Sequence, residues 1–100
     1  MSEMDKLEQY LEEHKYHYQR FDDYTGVLDW HQIVVYRSKR AEKEHRKDWD
    51  VVCHYGSFGY KEGLLEAMGS IVDPDKDGDT VAGWLTAEDV IARLENANKQ

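Results

Sequence analysis

The chain has 100 residues, of which 40% are hydrophobic and 12% aromatic, and a formal net charge of −8 at pH 7. A chain of this length forms a single domain, residues 1–100, and buries about 65% of its unfolded surface, which is enough for one core with two layers and not for a deep active-site cleft as well. Its twelve aromatic side chains argue against disorder, and its single cysteine, Cys53, excludes an internal disulfide.

The N-terminal stretch MSEMDKLEQYLEEHK carries neither a basic start nor an apolar run, which is unlike a secretion signal. No stretch approaches the roughly 20 apolar residues that span a bilayer. We therefore expect a cytoplasmic protein without a membrane partner, and a lone cysteine agrees with a reducing compartment.

The charge is distributed unevenly along the chain. Segment 37–47, RSKRAEKEHRK, holds six basic and two acidic residues, a net charge of +4. The rest of the chain then holds 7 basic and 19 acidic residues, a net charge of −12. Such an acidic body repels nucleic-acid phosphates at long range, so we do not favour nucleic acid as its partner.

Residues 3–14 have the pattern of an amphipathic helix. Four residues recur along it at three- and four-residue steps: Met4, Leu7, Leu11 and His14. Ser2 and Asp5 form a capping-box pattern at its start.

Three strands are predicted after this helix. The segment KYHYQRFDD (15–23) alternates in character, and YTG (24–26) is predicted to turn the chain. The clearest strands are DWHQIVVYR (29–37) and DWDVVCHYG (48–56). Both carry apolar residues on alternate and on intervening positions, which indicates a sheet covered on both faces along part of its length. The basic segment 37–47 then becomes a long hairpin connection.

Two helices complete the prediction. Residues 60–72 carry an apolar stripe at helical spacing: Leu64, Leu65, Met68, Ile71 and Val72. Thr86 and Asp89 form a second capping box that opens a helix over 87–96. The order is α-β-β-β-α-α, and we predict an α+β domain with a three-stranded antiparallel sheet packed by helices.

The segment DPDKDGDT (73–80) begins like an EF-hand calcium loop. Its carboxylates alternate: Asp73, Asp75, Asp77 and Asp79. The twelfth loop position, which needs a bidentate carboxylate, is Trp84. We therefore interpret the segment as an acidic turn between two helices, with weak calcium binding at 73–79 as an alternative. Trp84 is then expected to anchor the last helix as a hydrophobic residue.

No catalytic set can be assembled from the remaining residues. Cys53 and His54 are neighbours in a predicted strand, so their side chains point to opposite faces. The segment GSFGYKEG (56–63) lacks the spacing of a phosphate-binding loop, and it is interpreted as a tight turn with Ser57 as a helix cap and Phe58 packed inward. We expect no enzymatic activity and no cofactor.

Two surfaces remain as interaction candidates. Acidic residues line the first helix and could contact a basic groove on a protein partner: Glu8, Glu12 and Glu13. The cations of the hairpin could bind nucleic acid or phosphate: Arg37, Lys39, Arg40, Lys43, Arg46 and Lys47. Each surface has a plainer interpretation, because acidic helices aid solubility and charged edges deter sheet-to-sheet association.

Three segments carry a resemblance to known proteins: HQIVVY (31–36), WDVVCHYGSFGYKEGLLEAMGSIVD (49–73) and DKDGDTVAGWLTAEDVI (75–91). They resemble small uncharacterised proteins encoded by phages and integrative elements of Gram-positive bacteria, from which no residue inherits a role. The predicted element order and the acidity are also similar to one type of phage-encoded anti-CRISPR protein, an acidic inhibitor that occupies a DNA-binding groove on its nuclease target.

The leading hypothesis is a non-enzymatic accessory protein of a mobile element that binds a host or element protein through its acidic surface, as an inhibitor or nucleic-acid mimic. Nucleic-acid or phosphate binding by the hairpin 37–47 is the alternative, and weak calcium binding the second. The chain is expected to be a monomer or a homodimer paired through an edge strand that carries Tyr16 and Tyr18.

Overall fold

The computed structural model of the chain describes residues 1–24 and 29–98. Its helices and strands follow in this order: α1 (Glu3–Glu13), β1 (His17–Asp23), β2 (Trp30–Tyr36), α2 (Lys39–Lys43), β3 (Trp49–His54), β4 (Leu65–Gly69), α3 (Pro74–Asp77), β5 (Val81–Leu85) and α4 (Ala87–Asn98). A 3₁₀ turn, Tyr60–Glu62, lies between β3 and β4.

The five strands form one antiparallel sheet in which each strand pairs with the next along the chain, in the order β1-β2-β3-β4-β5. The terminal helices α1 and α4 contact each other and pack on one face of this sheet. Because successive strands are neighbours, all turns lie at one of two ends of the sheet, and each end gathers segments that are distant in sequence.

The main core lies between the sheet and the terminal helices. Alternate strand residues such as Ile33 and Val51 are fully buried there against Leu7 and Leu11 of α1 and Val90 of α4. The opposite face of the sheet has a smaller cluster, in which Val34 and Tyr36 pack against Ala41 of α2. The prediction that the sheet is covered on both faces along part of its length is therefore confirmed.

The predicted three-stranded sheet and the order α-β-β-β-α-α are wrong. Segment 60–72, predicted as a helix, forms a 3₁₀ turn and then strand β4. In β4 the buried residues Leu65 and Ala67 alternate with the less buried Glu66 and Met68, which is the two-residue period of a strand. A short apolar run fits the 3.6-residue period of a helix as well as the two-residue period of a strand. Here pairing with β3 and β5 makes the segment a strand.

The sequence of strand β5 does not predict a strand, for a related reason. Its sequence, VAGWL, contains a glycine and offers no clean alternation, and a register irregularity between Leu65 and Ala67 interrupts its pairing with β4. The acidic segment 73–80 consequently connects two strands, and the prediction that it joins two helices is wrong. Segment 37–47 also departs from a plain hairpin connection, because it contains the short helix α2.

The terminal helices follow the local signals closely. Ser2 and Asp5 form the expected reciprocal capping box at α1. The amide of Thr86 donates to the Asp89 carboxylate while the amide of Asp89 donates to the Thr86 hydroxyl, which caps α4 in the same way. The turn predicted over 24–26 lies mostly outside the described residues. In the part of the chain that is described, no helix combines the length and apolarity needed to cross a membrane.

Candidate interaction site at the aromatic end

The two ends of the sheet differ in chemistry. At one end, Asp23 of β1, Trp30 of β2 and His54 of β3 stand opposite each other in the strand register. This end, or the strand positions next to it, carries every strongly exposed aromatic side chain in the described residues: Phe21, Tyr24, Trp30, Tyr55, Phe58 and Trp84. We call this the aromatic end.

The opposite end combines the basic segment with the acidic turn. Residues 37–48 and 70–80 meet there, and Arg37 lines the same cavity as Asp73 and Asp77. Together these two segments hold seven basic and seven acidic residues, so their formal charges cancel. We call this the charged end. The net charge of −8 therefore belongs to the rest of the molecule.

An aromatic pair, Phe58 and Trp84, forms the most constrained part of the aromatic end. The two rings stack with centroids 5.0 Å apart and an angle of 26° between their planes. Trp84 has a φ of +54°, a left-handed conformation that bulky residues rarely adopt, and it is 58% exposed. The expectation that Trp84 anchors the last helix in the core is wrong, and so is the expectation that Phe58 packs inward.

Local backbone contacts explain why this pair is held outward. Gly59 has a φ of +97° and lies so close to the Trp84 backbone that an added Cβ would stand 3.2 Å from the Trp84 Cα. An added Cβ on Gly83 would collide with the Phe58 side chain. The Trp84 amide also donates to the Phe58 carbonyl over 3.4 Å. Glycines at both positions therefore let the two segments approach until the rings stack.

The turn that carries Phe58 has its own hydrogen bonds. The Ser57 hydroxyl accepts from the His54 amide at 3.0 Å and donates to the His54 carbonyl at 2.8 Å, so Ser57 closes the turn and is not a helix cap. The Leu64 amide donates to the Gly59 carbonyl across the 3₁₀ turn at 2.9 Å. These bonds fix the loop without burying its aromatic side chains.

Two further ring pairs extend the aromatic surface. Trp30 stacks on His54 of the neighbouring strand with centroids 4.0 Å apart and planes within 4°. Tyr55 meets Tyr60 edge-on with centroids 6.2 Å apart. A groove of about 290 Å³ lies between the turn and Trp84, with Phe58 in its wall.

A cavity of about 560 Å³ opens beside this surface, between the start of α1 and the sheet. Arg20 lies at its inner side and donates to Asp5 and Glu8, each at 2.8 Å, and to Asp22. Burial alone would lower the pKa of the Arg20 guanidinium, but the hydrogen bonds to Asp5 and Glu8 outweigh it and raise the pKa, so Arg20 stays charged.

His31 lies in the same cavity, between two carboxylates. Its Nδ1 is 2.7 Å from Asp22 and its Nε2 is 2.7 Å from Asp29, which also accepts from the Tyr60 hydroxyl at 2.7 Å. Burial alone would lower the pKa of His31, but the hydrogen bonds to Asp22 and Asp29 outweigh it and place the pKa above its usual value. The imidazolium form is therefore stabilised.

Cys53 also lines this cavity, and its chemistry is that of a packed thiol. Burial, with a smaller contribution from nearby Asp29, raises its pKa and disfavours the nucleophilic thiolate. Cys53 packs against the main core while His54 stacks on Trp30 across the sheet, so the two neighbours lie on opposite faces as expected.

The acidic residues predicted on the first helix are largely engaged within the chain. Glu8 accepts from Arg20 and from the Tyr18 hydroxyl, and Glu12 accepts from the same hydroxyl at 2.6 Å. Glu13 accepts from the Gln9 amide at 3.2 Å. The contacts of Glu8 and Glu12 tie α1 to β1, an edge strand, whereas the contact of Glu13 lies within α1. Tyr18, expected at a free edge, is thereby turned toward the helix, and the neighbouring Tyr16 packs against the main core.

Most of the cations predicted on the basic segment are also paired. The ion pairs are Arg37 with Asp48, Arg40 and Arg46 with Glu44, and Lys47 with Asp50. Lys39 and Lys43 form no ion pair within the residues that the structure describes. The segment therefore presents much less unbalanced charge than its sequence indicates.

The four aspartates of the acidic turn do not converge on one point. Asp73 accepts from the Asp75 amide as the cap of α3, and Asp79 accepts from the Thr80 amide. Asp77 is bound by both Nη groups of Arg93, at 2.9 and 2.7 Å. Across residues 1–24 and 29–98, no three His, Cys, Asp or Glu residues lie close enough together to hold a metal ion.

Comparison of the chain with protein-family models, with curated proteins and with solved structures finds no match. Function must therefore be inferred from the chain's own residues. Sequence reasoning overlooked the aromatic end because its members come from four separate segments. The available signal was the pairing of aromatic residues with glycines in GSFGY and GW, which marks close backbone approaches beside large rings.

Proposed function

We propose that this chain is a non-enzymatic protein-binding module whose contact surface is the aromatic end. The supporting observation is the Phe58–Trp84 pair, which is exposed and yet held in one geometry. Tryptophan and tyrosine are enriched among the residues that contribute most to protein–protein binding, and such residues cluster at the centre of an interface.

The conformation of Trp84 favours a binding role over a folding role. A non-glycine residue in the left-handed region costs about 1–2 kcal/mol, and an exposed indole recovers little of this by burial. A glycine would take the same φ without strain. The large side chain at this position therefore serves something other than the stability of the isolated domain, and contact with a partner supplies the missing burial.

Pre-organisation supports the same proposal. The close backbone approach at Gly59 and Gly83 lets the two rings stack within the chain itself, and Trp30 likewise stacks on His54. A surface that is already rigid loses less conformational entropy on binding than a flexible one, which strengthens binding without new contacts. The groove beside Trp84 offers a recess for a partner side chain.

The other candidate surfaces receive less support. Glu8 and Glu12 are occupied by Tyr18 and Arg20, so an acidic contact surface along α1 is weaker than the sequence suggested. The hairpin 37–47 retains two unpaired cations in the described chain, beside an acidic turn that opposes phosphate binding. The proposal keeps the expected setting, a cytoplasmic accessory protein of a mobile element.

Affinity capture from a lysate of the cells that make the protein tests the proposal, followed by titration calorimetry with the purified partner. Trp84→Gly removes the ring and relieves the strained φ, so the domain should retain its stability within about 1 kcal/mol. We expect this variant to weaken partner binding by at least about 30-fold, which corresponds to about 2 kcal/mol.

A matched control is the double variant Lys39→Ala/Lys43→Ala, which changes only the charged end. It should bind the same partner as the unaltered chain does. Full binding by Trp84→Gly, or loss of binding by the lysine double variant alone, would refute the aromatic end as the contact surface.

A further inference from the structure

His31 lies between two carboxylates, and each of its ring nitrogens is within hydrogen-bonding distance of one of them. Nδ1 is 2.7 Å from Asp22 and Nε2 is 2.7 Å from Asp29. An ionised carboxylate only accepts hydrogen bonds, and a neutral imidazole carries a single N–H. Both contacts therefore form together only when the ring is protonated. In the neutral ring one nitrogen turns a lone pair toward a carboxylate oxygen, and that contact has to open.

The two carboxylates differ in what else holds them. Asp22 belongs to β1 and is also bound by Arg20, whose Nε lies 3.1 Å from one of its oxygens. Asp29 precedes β2, its side chain is 40% exposed, and it also accepts from the Tyr60 hydroxyl at 2.7 Å. Because water can replace the contacts of the more exposed group, Asp29 is the carboxylate that moves away when His31 becomes neutral.

Tyr60 connects this network to the proposed contact surface. Its side chain lines both the cavity that holds His31 and the groove beside Trp84. Its ring meets Tyr55, another residue of the groove wall, with centroids 6.2 Å apart. The hydrogen bond from the Tyr60 hydroxyl to Asp29 therefore ties the groove wall to the start of β2. When Asp29 moves away, that tie is lost and the Tyr60 ring is free to change its position in the groove.

The other charged and titratable groups that line the cavity with His31 and Asp29 come from several elements: Asp5, Arg20, Tyr24, Cys53, Tyr60 and Lys61. Arg20 is bound to Asp5 of α1 at 2.8 Å. Burial raises the pKa of the Cys53 thiol, which lies opposite His31 in the strand register. The hydrogen bond to Asp29 raises the pKa of the Tyr60 phenol. Neither the thiol nor this phenol therefore replaces His31 as the group that changes charge near neutral pH.

We infer that the protonation of His31 regulates the aromatic contact surface. The charged imidazole holds Asp29, and through it the Tyr60 ring, in the arrangement that the partner meets. Loss of the proton releases both, so the partner binds more tightly at lower pH. The inference rests on the proposed function and adds a regulation to it.

An NMR titration of the isolated chain from pH 5 to pH 9 tests the inference without a partner. We expect the imidazole signals of His31 and the ring signals of Tyr60, Tyr55 and Trp84 to change with one common midpoint. Burial alone would lower the pKa of His31, but the hydrogen bonds to the two carboxylates outweigh it. The midpoint should therefore lie above 6.5.

Tyr60→Phe is the decisive variant, because it keeps the ring and removes the hydroxyl that reaches Asp29. His31 should still titrate in this variant, but the ring signals of the groove should no longer follow it. His17→Gln is the matched control: it removes an exposed imidazole from β1 and should leave the common midpoint unchanged. The other histidine of the aromatic end, His54, stacks on Trp30, so the Trp30 signals report its titration separately.

Calorimetry at pH 6 and pH 9 then measures the consequence for a partner captured through the aromatic end. The affinity of the unaltered chain should fall at least about fivefold more than that of Tyr60→Phe, the lower range of coupling between linked sites. The comparison with Tyr60→Phe removes the contribution of the partner's own titrating groups, because these act on both chains alike.

Groove signals that stay constant while His31 titrates, or that follow the same course in Tyr60→Phe, would overturn the inference. A chain whose groove follows His31 but which captures no partner through Trp84 supports the coupling and refutes the proposed function. Binding through Trp84 with the same pH dependence in both chains refutes the regulation alone.

Discussion

The charged end and the aromatic end of the sheet differ in which side chains they leave exposed and in how their charges are balanced. At the charged end, basic segment 37–48 and acidic segment 70–80 cancel in formal charge and pair mostly through exposed groups. At the aromatic end, six aromatic side chains remain exposed beside a network with a net negative charge. Exposed ion pairs contribute little to stability, while exposed, ordered rings are the usual centre of a protein contact. The more highly charged segment is therefore not the better candidate for function.

The largest effect that this comparison predicts is structural and lies at the charged end. Gly69 has a φ of +99°, and an added Cβ would stand 2.6 Å from the Asp48 carbonyl oxygen and 2.7 Å from the Trp49 Cα. Backbone atoms cannot yield as a side chain can. We expect Gly69→Ala to lower the free energy of unfolding by more than about 3 kcal/mol, measured by urea denaturation.

Gly78→Ala is the matched control for this change. Gly78 also has a positive φ, +75°, but an added Cβ would meet nothing within 4 Å. Gly78→Ala should lower the free energy of unfolding only by the cost of placing alanine in the left-handed conformation, about 1–2 kcal/mol. Equal losses in the two variants would mean that the close approach of β3 and β4 at Gly69 is not what holds the charged end.

The next prediction divides the basic segment into structural and free cations. Asp50 is 1% exposed, and its carboxylate accepts from Lys47 at 3.1 Å and from Gln32 at 3.0 Å. Lys47→Ala removes the charge that compensates a buried carboxylate, so unfolding should require about 1–3 kcal/mol less. Lys39→Ala, which removes an equal charge without a partner in the described residues, should change stability by less than about 0.5 kcal/mol.

Thermal or urea unfolding of the two lysine variants distinguishes them directly. A similar, small effect for both would show that Lys47 is as dispensable as a solvated charge. The segment 37–47 would then again be free to act as a cationic binding surface, and the contrast between the two ends would weaken.

The smallest predicted effects are on pH dependence, and they have opposite directions at the two ends. Hydrogen bonds from Arg93 lower the pKa of Asp77 from 3.8 to about 2. The ionised Asp77 carboxylate therefore contributes to folding stability above pH 3.8, and this contribution is lost as the pH falls toward about 2. The raised pKa of His31 contributes stability that is complete below 6.5 and is lost as the pH rises through the raised value.

Urea unfolding from pH 2 to pH 9 tests both signs. In Asp77→Asn, the free energy of unfolding should fall less steeply below pH 3.8. In His31→Asn, it should fall less steeply above pH 6.5. Neither variant should change the other pH range. The groups around His31 are Asp22, Asp29 and, through Asp22, Arg20, so its neutral form leaves the carboxylates less compensated. If His31→Asn lost stability above pH 6.5 as the unaltered chain does, another group of the chain would be responsible for that loss.

Local chemistry made the terminal helices predictable. The capping boxes at Ser2 and Thr86 satisfy amides within one turn. The buried pairs Leu7/Leu11 in α1 and Val90/Leu94 in α4 are each four residues apart, the spacing of one helix face. Strands β2 and β3 are predictable because each carries a run of β-branched residues, Ile33–Val35 and Val51–Val52, and β1 because its aromatic and polar residues alternate. The run LLEAMGSIV, which contains β4, predicts a helix as readily as a strand, because so short a run fits both the helical and the strand period.

Composition and neighbours a few residues apart suffice to predict the acidity, both terminal helices and the first three strands, β1, β2 and β3. That β4 and β5 are strands follows from their pairing in the folded sheet, which joins residues that carry no local signal of it. The same pairing brought the basic segment against the acidic turn and gathered Trp30, Phe58 and Trp84 at one end. Charge cancellation and ring stacking act through space, so no reading along the chain could place them.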